Sequence, residues 1–237
     1  MNTNTANKLT AIAQNQQKVY DAGQSAGYSQ AESDFWDAFQ DYGNREFYEY
    51  GFSRSGFEYV RPKHKIVPTS RVINMFSDMP NLKRIEKAYI DLSKSSVTSQ
   101  ESIATSGNYA VWRNCANLEI VEDIGMKAGG YYQTFVGCEK LHTIEVVRVI
   151  DETGYSSTFN RCYELENLTI EGTIGQNNFN VSYSTKLTHK SLMSIINALA
   201  DYHGDGLIHT VTLGEANLAK LTDAEKAIAT ERGWTLA

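Results

Sequence analysis

No stretch of this sequence approaches the roughly 18 consecutive apolar residues that a membrane-spanning helix needs. The longest aliphatic runs, such as Val146, Val147, Val149 and Ile150, are strand-sized, so no membrane span is expected. Positive charge is scarce as well. With 22 Lys and Arg against 28 Asp and Glu, the formal charge is -6 and no basic cluster stands out locally, which argues against a nucleic-acid partner. Cysteine is limited to Cys115, Cys138 and Cys162, with no Cys-x-x-Cys spacing, so neither a disulfide framework nor a zinc site is expected. The opening residues from Met1 to Leu9 are polar and lack the basic-then-apolar order of a secretory signal.

A phosphate loop, a His-Glu-x-x-His helix and a calcium loop are also missing. No catalytic residue, no cofactor and no metal ligand is therefore expected, and the chain reads as a non-enzyme. Among five histidines, only His203 and His209, on either side of Gly204, Asp205 and Gly206, have a spacing that could face a metal. They read as solvated loop residues. The acidic groups Glu119, Glu122 and Asp123, and the pair Asp151 and Glu152, read as solvated edges.

What the sequence does contain is a four-fold echo. Phe76, Met79, Leu82 and Ile85 recur as Trp112, Cys115, Leu118 and Val121, as Phe135, Cys138, Leu141 and Ile144, and as Phe159, Cys162, Leu165 and Leu168. The steps between aromatics are 36, 23 and 24 residues; the last two fall in the roughly 20 to 29 residue window of leucine-rich repeats, and the first carries an insertion over 91–107. A unit this short cannot close a core alone, so copies must stack and share one apolar column. The repeat residues Phe76, Leu82, Trp112, Leu118, Phe135, Leu141, Phe159 and Leu165 are accordingly read as scaffold, and the cysteines as small apolar fillers. After each Leu comes a β-branched, alternating stretch, which predicts one short parallel strand per copy.

On the N-terminal side, Leu9, Ile12, Val19, Gly23 and Gly27 lie on a weak heptad-like stripe, with Gln and Gly at seam positions, that predicts a helix needing a partner. Ten aromatics crowd between Phe35 and Tyr59, as in a turn-rich cap over the first copy. Beyond the repeats, Thr188 is placed to cap a helix bearing Leu192, Ile195, Ile196 and Leu199. Ile208 to Leu213 alternates as a strand, Thr222 and Glu225 form a capping box, and Trp234 to Leu236 is extended.

The repeats, with the C-terminal runs from Leu187 to Asp201 and from Leu213 to Ala237, resemble BspA-like leucine-rich repeat proteins. More narrowly, they are similar to the version encoded among virion genes of phages and prophages of gut Firmicutes, as are Val19 to Tyr28 and Phe35 to Arg45. The resemblance implies an α/β leucine-rich-repeat solenoid in four parts. These are an attachment segment (1–34) using Leu9, Ile12, Val19, Gly23 and Gly27, an aromatic cap (35–70), the repeats (71–186) and a helix-strand-helix cap (187–237). It implies a virion structural protein, in the tail, baseplate or a fibre, made in the host cytoplasm. Such a protein would bind other virion proteins through its first segment, self-associate in the assembly, and present the repeats to a host-surface protein or glycan. A head-decorating fibre protein of the capsid, a cellular surface adhesin of the same family and a polysaccharide-degrading enzyme are the alternatives.

Overall fold

The computed structural model describes residues 51–62, 65–67, 72–91, 108–127, 131–149, 157–175 and 179–237. The proposed attachment residues Leu9, Ile12, Val19, Gly23 and Gly27, the aromatic stretch up to Tyr50, the insertion from 92 to 107 and the Asp151/Glu152 pair lie outside them. Within them the fold is α/β. A five-stranded sheet runs in the order β1 (Tyr59–Val60), β3 (Arg84–Asp91), β5 (Ile120–Lys127), β6 (Thr143–Val149) and β7 (Asn167–Gly172), every neighbouring pair parallel. A small pair joins β2 (Val72–Ile73) to β4 (Asn108–Tyr109), and a second parallel sheet has the order β10 (Trp234–Leu236), β9 (His209–Thr212), β8 (Phe179–Asn180). The described helices are α1 (His189–Ala198), α2 (Glu215–Leu218) and α3 (Asp223–Glu231).

Each of the strands β3, β5, β6 and β7 begins two residues after a repeat Leu, and the copies stack in register through their backbones. The Trp112 and Asn114 N–H groups donate to the Thr134 and Val136 carbonyls one copy later, at 3.0 and 2.7 Å. Phe135 and Gly137 donate likewise to Thr158 and Asn160, both at 3.0 Å. Side chains stack the same way. The rings of Phe52, Phe76, Trp112, Phe135 and Phe159 form one column with centroid spacings of 5.1, 5.6, 5.8 and 6.2 Å and planes within 14° of parallel. All eight repeat scaffold residues are buried. The cysteines do more than fill space. The Cys115, Cys138 and Cys162 thiols donate to the Phe76, Trp112 and Phe135 carbonyls at 3.1, 3.2 and 3.2 Å, and burial pushes their pKa values up, that of Cys115 to about 12.

The chain reverses direction around each aromatic by placing residues in the left-handed region. Asn74, Ala110, Gln133 and Ser157, two before the aromatic, and Arg54, Asp78, Asn114 and Arg161, two after it, all have positive φ. Only Gly137 among these repeat positions is a glycine; a Cβ there would meet Asn114 Oδ1 at 2.7 Å. The stacking also extends one copy beyond the echo at either end. Phe52 joins the aromatic column, and Val60 pairs with Ile85. At the far end Val181, Ser184 and Leu187 take the aromatic, Cys and Leu places, with the Ser184 hydroxyl donating to the Cys162 carbonyl at 3.0 Å.

After Leu187 a helix replaces the strand. Thr188 caps α1, and the buried face of the helix carries Leu192, Ile195 and Ile196, as the sequence predicts. Two of its hydroxyls finish the sheet. Ser191 Oγ and Ser194 Oγ accept from the Leu168 and Ile170 N–H groups of the edge strand β7, both at 2.9 Å. An exposed row of unpaired strand amides is thereby covered. The C-terminal elements dock behind α1. Arg232 Nη1 donates to the carbonyls of Asn197 and Leu199 at 2.9 Å, closing the helix C-terminus. The capping box of Thr222 and Glu225 on α3 is present as expected.

Candidate functional site

An all-parallel sheet is ordinarily covered on both faces. Among the described residues, this one is covered on one face only. Ile85, Ala88 and Ile90 of β3 point to the core, as do Val121 and Ile124 of β5 and Ile144, Val147 and Val149 of β6, while the residues between them line an outward, polar face. In β3, β5 and β6 two consecutive residues face outward between inward ones: Glu86 and Lys87, Glu122 and Asp123, Glu145 and Val146. β7 has only Thr169 at that place, so the irregularity cancels among the first three strands and appears as a register shift between β6 and β7.

Across this face Tyr89, Gly125, Arg148 and Glu171 sit opposite one another on four successive strands. Gly125 has no side chain, and Arg148 reaches over it. Its Nε lies 2.8 Å from the Tyr89 hydroxyl and 2.8 Å from Asp123 Oδ1, its Nη2 3.1 Å from Asp123 Oδ2, and its Nη1 pairs with Glu171. Tyr89 donates its own proton to Asp123, and Lys87 Nζ stands 4.9 Å from the Tyr89 ring centroid. Arg84 pairs with Glu122 in the next row, its Nε at 2.7 Å, and Arg61 lies 3.8 Å from Glu86. Burial opposes ionisation of Asp123, but hydrogen bonds from Arg148 and Tyr89 outweigh it and hold the carboxyl below its usual range. Burial, followed by the bond to Asp123, pushes the Tyr89 phenol up.

In this network both carboxylate oxygens of Asp123 are already hydrogen-bonded, while Glu122 and Glu171 each pair through one oxygen. The network can present a fixed pattern of donors and acceptors. The sequence reading placed Glu122 and Asp123 among solvated edges; they are half-buried partners of Arg84 and Arg148 instead. Tyr89, Arg148 and Glu171 went unnoticed, although Tyr89, Gly125 and Arg148 each stand seven residues after a repeat Leu and Glu171 stands six after one.

The histidine pair is also corrected. His203 is exposed, but His209 is 8% exposed on β9, stacked on Tyr202 with centroids 4.0 Å apart and beside Trp234 at 5.4 Å. Its Nε2 meets Asp205 Oδ2 at 2.7 Å, while Nδ1 is buried without a hydrogen-bond partner. Tyr202 and Trp234 come from distant elements, so spacing alone could not show that His209 is a core residue. Among the described residues, no group of three His, Cys, Asp or Glu is arranged to hold a metal ion, and no helix is long and apolar enough to cross a membrane. One string outside them, Gly23-Gln24-Ser25-Ala26-Gly27, has the spacing of a nucleophile elbow. The residues before it, Asn15-Gln16-Gln17-Lys18-Val19-Tyr20-Asp21-Ala22, are not the β-branched run that precedes an elbow.

No protein-family model matches this chain, and neither a curated protein nor a solved structure is significantly similar to it.

Proposed function

We propose that this chain is a non-enzymatic binding protein, a leucine-rich-repeat solenoid of the BspA-like kind that serves as a structural component of a virus particle and presents its outward sheet face to a host-surface protein. The observation that carries this reading is the outward face of the five-stranded parallel sheet, uncovered among the described residues, with Tyr89, Asp123, Arg148 and Glu171 locked into one network. A pre-ordered polar surface loses little side-chain entropy on binding, which favours recognition. Repeat stacking that runs from Phe52 to Leu187 supports the solenoid reading. α1 covers the last strand edge and so favours presentation of the face over edge-to-edge association.

The virion assignment rests on the resemblance in the repeats and in the N-terminal segment. In this proposal the segment bearing Leu9, Ile12, Val19, Gly23 and Gly27 attaches to the particle, where the chain self-associates with further copies. The test is incorporation. Deleting residues 1–33 leaves a folded domain that is missing from purified particles; normal occupancy of the shortened chain would move the attachment surface elsewhere.

A further inference from the structure

Away from the sheet face, on the turns that precede the strands, one side-chain relation recurs between two successive pairs of copies. The residue two after the aromatic position meets the residue one after the Cys position of the preceding copy. Between the copies of Phe135 and Phe159 this relation joins Arg161 to Glu139 in an ion pair. One copy later the same two places hold Tyr183, two after Val181, and Tyr163, one after Cys162. Their rings pack edge to face, centroids 6.4 Å apart with planes at 66°, and remain 44% and 47% exposed.

An ion pair suits a solvated turn; two adjacent half-exposed rings leave apolar area in water that a monomer gains nothing by showing. The surroundings indicate the ligand. Arg161 pairs with Glu139, and Lys186 pairs with Glu164 on the adjoining row, so the rim carries charged groups of cancelling sign. A balanced rim does not attract a polyanion or a polycation. Rings at a steep angle offer one flat face and one edge, and tyrosine provides such area at low entropy cost with a polar tip. Pyranose rings have the matching chemistry. Their axial C–H groups lie on an aromatic face while equatorial hydroxyls reach charged or phenolic groups at the border.

We infer that Tyr163 and Tyr183 form a binding subsite for a neutral polysaccharide chain, bordered by Arg161, Glu139, Lys186 and Glu164. This site is separate from the outward sheet face, and either can fail without the other. The test uses the full chain and ligand-observed saturation-transfer NMR with three probes: a β-1,4-glucose hexamer, an N-acetylglucosamine hexamer and polygalacturonate. Saturable binding to at least one neutral hexamer is expected, weakened at least about tenfold in Tyr163→Ala/Tyr183→Ala and by less than about threefold in Tyr163→Phe/Tyr183→Phe, which keeps the rings. Arg148→Ala on the sheet face leaves this binding unchanged, and unaltered thermal unfolding of the alanine double variant excludes a folding defect. Binding to neither hexamer, stronger binding to polygalacturonate, or neutral binding indifferent to the alanine changes would each overturn the subsite.

Discussion

At the scale of single residues, His209 and His203 make the sharpest contrast. Both flank one turn, yet one is packed between Tyr202 and Trp234 and the other is in water. His209→Ala is expected to cost about 2 to 4 kcal/mol, as for other buried ring truncations, whereas His203→Ala changes stability by less than about 0.5 kcal/mol. Urea titrations of the two variants measure this directly, and equal midpoints would refute the packing described for β9. Asp123 sets a pH dependence whose sign follows from its depressed pKa. Its contribution is fully present above the ordinary aspartate value of about 4 and disappears as pH falls through the lower folded value. Wild-type stability should therefore drop more steeply than that of Asp123→Asn below about pH 4 in a pH series of thermal melts. Parallel curves would mean that Arg148 and Tyr89 do not hold the carboxylate. Neither feature could be read along the chain. Tyr202, His209 and Trp234 meet only after the C-terminal elements dock, and the Arg148 contact spans two strands.

Among the elements, α1 completes the sheet by chemistry that no hydrophobic pattern shows. Its apolar face and its Thr188 cap were evident from sequence, since both depend on local spacing. By spacing alone Ser191 and Ser194 are ordinary polar positions of a helix; the β7 edge beneath them gives their hydroxyls a role. Ser191→Ala and Ser194→Ala each leave a β7 amide without its acceptor, at a cost of about 1 to 3 kcal/mol where the amide is cut off from water. Amide exchange reads this locally: the Leu168 amide should exchange faster in the first variant and the Ile170 amide in the second. Unchanged protection at both would show that water or a shifted helix takes over.

The terminal copies were hidden for a related reason. The copy of Phe52 has one residue fewer between its aromatic and its strand than the copy of Phe76, and Val181 is not aromatic at all. Central copies were readable because stacking demands like residues at like places. End copies meet a neighbour on one side only, which relaxes that demand.

For the whole molecule, a shared column of side chains implies that copies do not stand alone. Leu141→Ala and Leu165→Ala, at fully buried places in neighbouring copies, should each cost about 2 to 5 kcal/mol. Nearest-neighbour coupling in such stacks makes a loss in one copy felt by the next, so the two losses should not simply add in the double variant. Strict additivity in denaturant titrations would indicate that the copies are energetically independent.

The proposed function rests on the outward sheet face, which among the described residues carries polar side chains where parallel sheets ordinarily carry a second covering layer. Adsorption of the labelled protein to intact host bacteria measures its role most directly, comparing the wild type with Tyr89→Phe/Asp123→Asn/Arg148→Gln. The triple variant removes the network while keeping side chains of similar size. Adsorption should fall at least about tenfold while the protein remains folded; undiminished adsorption of the triple variant would contradict a binding role for this face.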